Sequence, residues 1–253
     1  MKAPRIPFLL SSLGIAVLAL SSCAPTSQKA LSPDEVKREL DERVSAELRD
    51  QIIIPFEIDD EIRQVAQEVT KGITSEREKM RAIVRAIIDM TGLSISYDWL
   101  SNKTAKEVFR EGRGNCLAYT NLFVGMAREV GLKAVYVDVV TIERVSREAE
   151  VIVNNGHITG GCYFGPEVAV IDFTRNPERE YIGYEVLNDL EAISNFYNNQ
   201  GFLYGYFTET EGQGLDFDPH EKEVEMYSIA LEIDPSFHRA RNNFPPADGG
   251  NAL

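Results

Sequence analysis

Between Gly114 and Gly131 the sequence admits little but a buried helix, and that helix opens on a cysteine. Leu117, Phe123, Val124, Ala127 and Val130 recur at helical spacings, and Gly131 supplies a stop. Asn115 is the expected N-cap, which puts Cys116 in the first turn. Unpaired amide N–H groups and the helix dipole favour a thiolate there. The same groups can donate to an oxyanion.

A Val-rich strand is expected over 132–142. The charged stretch 143–156 ends in Asn154-Asn155-Gly156, a turn signal. A strand from His157 to Phe164, a Gly165-Pro166 turn and a strand from Val168 to Phe173 complete a hairpin. It brings His157 and Asp172 towards each other, and a Cys116 helix packed on the sheet lets all three meet. A thiol needs a base to take its proton, and the base needs a partner to orient it. Asp172 sits in an apolar run where an unpartnered charge is expensive, and His157 is the economical partner.

The flanks read as helices. Ser32-Pro33-Asp34-Glu35 is a capping box with Pro in the first turn, and Val36, Leu40, Val44 and Leu48 form a narrow apolar stripe behind it. Pro55 breaks that element. A helix starts at Asp59 or Asp60, and Ser75 with Glu78 opens another, amphipathic one. A short strand over 93–97, a short helix over 104–110 and a turn at Gly112-Arg113-Gly114 lead to Cys116. Tyr97 and Trp99 are candidates to complete an oxyanion site. Helices segregated around an antiparallel sheet give an α+β class.

The formal net charge is −14. Loss of residues 1–22, which carry Lys2, Arg5 and no acid, makes it −16. Such a surface repels nucleic acid and anionic lipid, so a membrane attachment has to come from elsewhere. Lys2 and Arg5 precede an apolar run from Ile6 to Leu20, shorter than the ~20 residues a spanning helix needs. The following Leu20-Ser21-Ser22-Cys23 resembles the lipobox of bacterial lipoproteins. That resemblance implies cleavage after residue 22, lipidation of Cys23 and export to the cell envelope. Ala24, rather than an Asp of the inner-membrane retention type, favours the outer membrane.

Arg113-Gly114-Asn115-Cys116 heading a helix, Gly156-His157 on a strand and Val170-Ile171-Asp172-Phe173-Thr174 on the next resemble the transglutaminase-like superfamily over about residues 75–180. The resemblance implies a papain-like core, with Cys116 as nucleophile, His157 as general base and acid, and Asp172 as the orienting carboxylate. It implies acyl transfer from a peptide or protein amide through an acyl-enzyme. Ile158 and Thr159 stand where Ala-Trp is common, so substrate preference does not carry over. Arylamine acetyltransferases share the Arg-Gly-x-Cys turn but use coenzyme A, which is scarce outside the cytosol. Wall peptidases of the NlpC/P60 type share the layout but not their Asp-Cys-Ser-Gly turn.

Four segments follow: 1–22, a signal peptide; 23–54, a tether and charged helix; 55–180, the transglutaminase-like domain; and 181–253, a helical region. In the last, Leu187, Leu190, Ile193, Phe196 and Tyr197 make a stripe, and Ala230-Leu231-Glu232-Ile233-Asp234-Pro235 resembles tetratricopeptide repeat sequence. One repeat and a stub suit either docking on the catalytic domain or a generic helical cover, with a disordered end and a possible protein partner. Cys162 lies five residues from His157, so strand alternation puts it on the other face. A free Cys116 and a buried Cys162 are expected, and a Cys116–Cys162 disulfide is the alternative for an exported chain. No Cys/His cluster has metal spacing and no phosphate loop occurs, so no metal or cofactor is expected. The sequence leaves two classes: a thiol enzyme acting on amides, and an inactive binding lipoprotein using the same groove and the helical tail.

Overall fold

The computed structural model describes residues 30–90, 96–98, 100–144, 151–173, 179–211 and 217–245. Cys23 and its signal, Trp99 and the chain end from 246 lie outside them. Helix α1 (Pro33–Arg43) has the capping box in full: Ser32 accepts from the Glu35 amide, and Glu35 from that of Ser32. Val36, Leu40 and Val44 are buried as one stripe. The stripe does not continue as a single helix to Leu48. Ser45 breaks it, because its amide and hydroxyl both donate to the Glu232 carboxylate, and α2 (Ala46–Arg49) restarts after it.

Helices α3 (Asp60–Val69), α4 (Glu76–Met90) and α5 (Ala105–Glu111) carry side-chain N-caps from Asp59, Ser75 and Thr104. After α5, Gly112 turns the chain at φ +65°, a conformation side chains resist. Arg113–Gly114 then forms strand β2, paired in parallel with β1 (Ser96–Tyr97). The expected turn at 112–114 is thus a turn at one residue followed by a strand.

Helix α6 (Cys116–Glu129) is the hub. It is buried from Leu117 to Ala127 and touches α3, α4, α5 and the main sheet. Its backbone comes so close to its neighbours that a Cβ on Gly125 would sit 2.6 Å from the Phe56 carbonyl oxygen. The sheet has four antiparallel strands in the order β5 (Glu167–Ile171), β4 (Val151–Phe164), β3 (Ala134–Arg144), β6 (Arg179–Leu187). One face carries Tyr136, Ile158, Cys162 and Ala169 into the core shared with α6. The other carries Val137, Val139, Tyr163 and Val170 into a smaller cluster.

Two expectations fail here. Asn154-Asn155-Gly156 is not a turn: β4 runs through it, pairing Asn154 with Thr141 and Asn155 with Val140. The register then steps to Val139 opposite His157, so Gly156 is the extra residue of a β-bulge. A glycine after two asparagines serves a bulge as well as a turn, and fourteen residues of pairing decide it. The sheet also runs past residue 180, where the sequence alone starts the helical region, because β6 pairs with β3.

Helix α7 (Asp189–Glu211) passes through Asn198-Asn199-Gln200-Gly201 without a break. Gly201 permits the approach of α8 (Pro219–Ile233), since a Cβ there would lie 2.8 Å from the Tyr227 ring. Chain direction reverses at Asp234-Pro235 into α9 (His238–Asn243), whose Arg239 donates to Asn195 Oδ1 at 3.0 Å and to Asp138. Tyr197 ties α7 to the N-terminal segment, accepting from the Ile53 amide at 2.6 Å and donating to the Gln51 carbonyl at 3.2 Å.

Candidate active site

Cys116 is the first residue of α6 and half-buried. Asn115 caps the helix, its Oδ1 accepting from the Ala118 amide at 2.9 Å. The cap is itself held: the Asn115 amide donates to the Ser101 carbonyl at 2.8 Å. His157 stands just after the bulge of β4 and Asp172 just after the end of β5. His157 Nε2 donates to Asp172 Oδ1 at 3.0 Å, with both side chains 8 % exposed. The Cys116 thiol lies near enough to the same imidazole to act on its charge. Cysteine, histidine and aspartate therefore form one chain of contacts, with the histidine in the middle.

Electrostatics decide the protonation of that histidine. Burial alone would push the imidazole pKa down from 6.5, because it strips water from the cation. The hydrogen bonds and charges of Asp172 and Cys116 act the other way and win, raising it to about 10. Asp172 thus holds the imidazole in its protonated form. Cys162 is the opposite case. Burial and the Glu76 charge push its thiol up to about 12. Both cysteines among the described residues are free; Cys162 belongs to the core under α6, and Cys116 lies beside His157.

The raised His157 pKa has a consequence for stability. Between about 6.5, the reference value of the unfolded chain, and about 10 the native state holds a proton that the unfolded state has lost. This contribution is complete below the unfolded value. It declines with rising pH by at most about 1.4 kcal/mol per pH unit and is gone above the folded value. Urea titrations of the wild type and of His157→Gln should show the alkaline decline shallower in the variant. Parallel declines would mean that His157 does not carry the proton.

Several residues that hold this arrangement were not singled out in the sequence. Phe173, next to Asp172, is pinned between Tyr119 and Phe123 of α6, at ring-centroid distances of 5.9 and 6.1 Å. Thr159, one of the two residues where Ala-Trp is common, is buried and donates its hydroxyl to the Ile171 carbonyl. It thus secures the strand end from which Asp172 projects. Alternation shows Thr159 on the His157 face, but nothing in the sequence gives its partner. Gly160 leaves room for the Phe123 ring, which would lie 2.7 Å from a Cβ there. Of the two oxyanion candidates, Tyr97 has its backbone beside Gly114, one strand from the Cys116 turn. Trp99 lies outside the described residues.

Residues 63–179 match the family model of the transglutaminase-like superfamily. The matched span takes in α3, which the motif resemblance left out, and contains Cys116, His157 and Asp172. A helix-rich α+β structure with a four-stranded antiparallel sheet agrees with that family's core. No curated protein and no solved structure matches the chain. No helix among the described residues is long and apolar enough to cross a membrane.

Proposed function

We propose that this protein is a lipid-anchored thiol enzyme acting on amide bonds, with Cys116 as nucleophile, His157 as base and acid, and Asp172 as the carboxylate that orients the imidazole. One observation carries the reading: His157, beside Cys116 at the start of α6, meets Asp172 Oδ1 through Nε2 at 3.0 Å, with both side chains buried. The transglutaminase-like match supports the reaction class, a cysteine-dependent attack on an amide. In the reaction the Cys116 sulfur adds to the amide carbonyl. The oxyanion is held at the start of α6, where free backbone N–H groups converge. His157 then donates its proton to the leaving amine, and an acyl-enzyme remains on sulfur. Water or a second amine, deprotonated by His157, releases the acyl group. Peptides, side-chain amides of proteins and wall peptides are the substrate class.

Per-cysteine mass spectrometry of iodoacetamide labelling tests the nucleophile. In the folded chain at about pH 6, Cys116 should label faster than in the urea-unfolded chain, where an ordinary thiol of pKa about 8.5 is almost wholly protonated. Cys162 should stay unlabelled when folded. A folded Cys116 that reacts more slowly than the unfolded one would overturn the reading.

The anchor belongs to the same proposal. Cys23 carries the acyl chains, residues 24–31 act as a tether, and the enzyme sits on the envelope, with the outer membrane favoured. The lipobox pattern in Leu20-Ser21-Ser22-Cys23 supports this. So does the fixation of the tether's far end, where the Leu31 amide donates to Asp189 Oδ2 at 3.0 Å. Cys23→Ser should move the protein from the membrane fraction to the soluble one. The helices beyond β6 are proposed as a repeat-like region of the kind that presents a surface to a protein partner.

A further inference from the structure

Directly after β1 comes a set of contacts, made by Asp98, Leu100, Ser101 and Asn102, that no part of the proposed chemistry uses. Asp98 organises it, its carboxylate accepting from the Leu100 amide at 3.1 Å and the Ser101 hydroxyl at 3.0 Å. Ser101 then offers its carbonyl to the Asn115 amide. Asn102, 6 % exposed, faces two ways. Its Oδ1 accepts from Asn115 Nδ2 at 3.3 Å, and its Nδ2 donates to the Phe196 carbonyl of α7 at 2.9 Å. Gln200 of α7 adds a contact to the Asn102 backbone carbonyl at 3.4 Å.

The chemistry of these bonds assigns directions. A carboxamide has one acceptor end and one donor end. The Phe196 carbonyl can only accept, so it takes the Nδ2 of Asn102 and leaves Oδ1 facing Asn115. Asn115 must then present its own Nδ2 to Asn102, which leaves its Oδ1 for the Ala118 amide. A rotated Asn115 amide would face the Ala118 N–H with a donor and lose the cap. The orientation of the group preceding Cys116 is thus set from a backbone carbonyl of α7, through one buried asparagine.

We propose that Asn102 is a positioning residue for Cys116, acting through Asn115, and that α7 is through it a working part of the active site. This rests on the thiol-enzyme reading above. It places the helix following the sheet inside the functional unit instead of beside it. The positioning works on the first turn of α6, where the thiol and the oxyanion-binding amides share one cap.

A double-mutant cycle on the full chain tests this, with the iodoacetamide rate of each cysteine read by mass spectrometry across a pH series. Asn102→Ala should slow Cys116 by about tenfold near neutral pH and move its rate–pH curve towards that of the unfolded chain, while Cys162 stays protected. In an Asn115→Ala background the same substitution should have almost no further effect, because a residue acting only through Asn115 has nothing left to act on. Equal slowing in both backgrounds would overturn the route through Asn115. An unchanged Cys116 curve in Asn102→Ala, with the wild type reactive, would overturn the positioning role and leave the nucleophile standing. Loss of Cys162 protection in Asn102→Ala would reduce the residue to a structural one and overturn the proposal. A wild-type Cys116 no faster than the unfolded thiol would overturn the nucleophile itself, and this inference with it.

Discussion

His157→Ala slows the alkylation of Cys116 by about 30-fold or more at about pH 6, where an unassisted thiol of pKa about 8.5 is well under 1 % ionised. The proton the thiol gives up needs somewhere to go. On the thiol-enzyme reading it goes to His157, whose imidazole pKa is raised to about 10 by Asp172 and Cys116, against the pull of burial. Removing the imidazole takes away the base beside the sulfur. Asp172→Asn should cost less, about tenfold, because it leaves the ring in place and removes only the charge that holds its proton. Cys162 is the internal control, since burial keeps its thiol unreactive in every variant. Cys116 rates within about threefold of wild type in His157→Ala would mean that the histidine does not activate the thiol.

Arg128→Ala is expected to lower the unfolding free energy by about 3–5 kcal/mol. Arg128, near the end of α6, grips Asp189 at the start of α7 with both terminal nitrogens, at 3.0 and 2.7 Å. The carboxylate is only 3 % exposed and also receives the Leu31 amide. Arg128 Nε donates to the Ala134 carbonyl at 3.0 Å, and the guanidinium lies 5.2 Å from the centre of the Phe56 ring. One side chain thus joins helix α6, strand β3, helix α7 and the N-terminal segment. The bridge itself contributes little net free energy, because desolvation offsets most of the attraction. The cost of the single substitution is the buried carboxylate it leaves unpaired. Arg128→Met with Asp189→Leu should therefore lose much less than Arg128→Ala. Urea unfolding of the three proteins checks this, and a loss below about 1 kcal/mol for Arg128→Ala would show that water reaches Asp189.

Local signals carried far in this chain. Asn115 with the apolar spacing behind it marked α6 and put Cys116 in its first turn, because capping and periodicity are properties of a few adjacent residues. Ser32 with Glu35 marked α1 for the same reason. Alternation from His157 to Phe164 and the Gly165-Pro166 turn signal marked the β4–β5 hairpin, and with it the approach of His157 and Asp172.

The misses share a cause. Ser45 ends α1 only because Glu232, far along the chain, offers a carboxylate to its amide and hydroxyl. Asn154-Asn155-Gly156 reads as a turn until β3 supplies partners on both sides of a bulge. Strand β6 was passed over because its place is fixed by pairing with β3, not by its own pattern.

The sequence by itself determined which residues have the chemistry for the site and which elements carry them. A cysteine at a helix start, a histidine opening a strand run and an aspartate ending the next are short-range facts. Only the tertiary structure decided the contacts that orient them: Thr159 on the Ile171 carbonyl, Phe173 between Tyr119 and Phe123, and Asn102 between Asn115 and Phe196. A hydrogen bond between residues 94 positions apart leaves no period or motif in the chain. It exists once burial has removed water and the carboxamide has to satisfy both its ends within the protein.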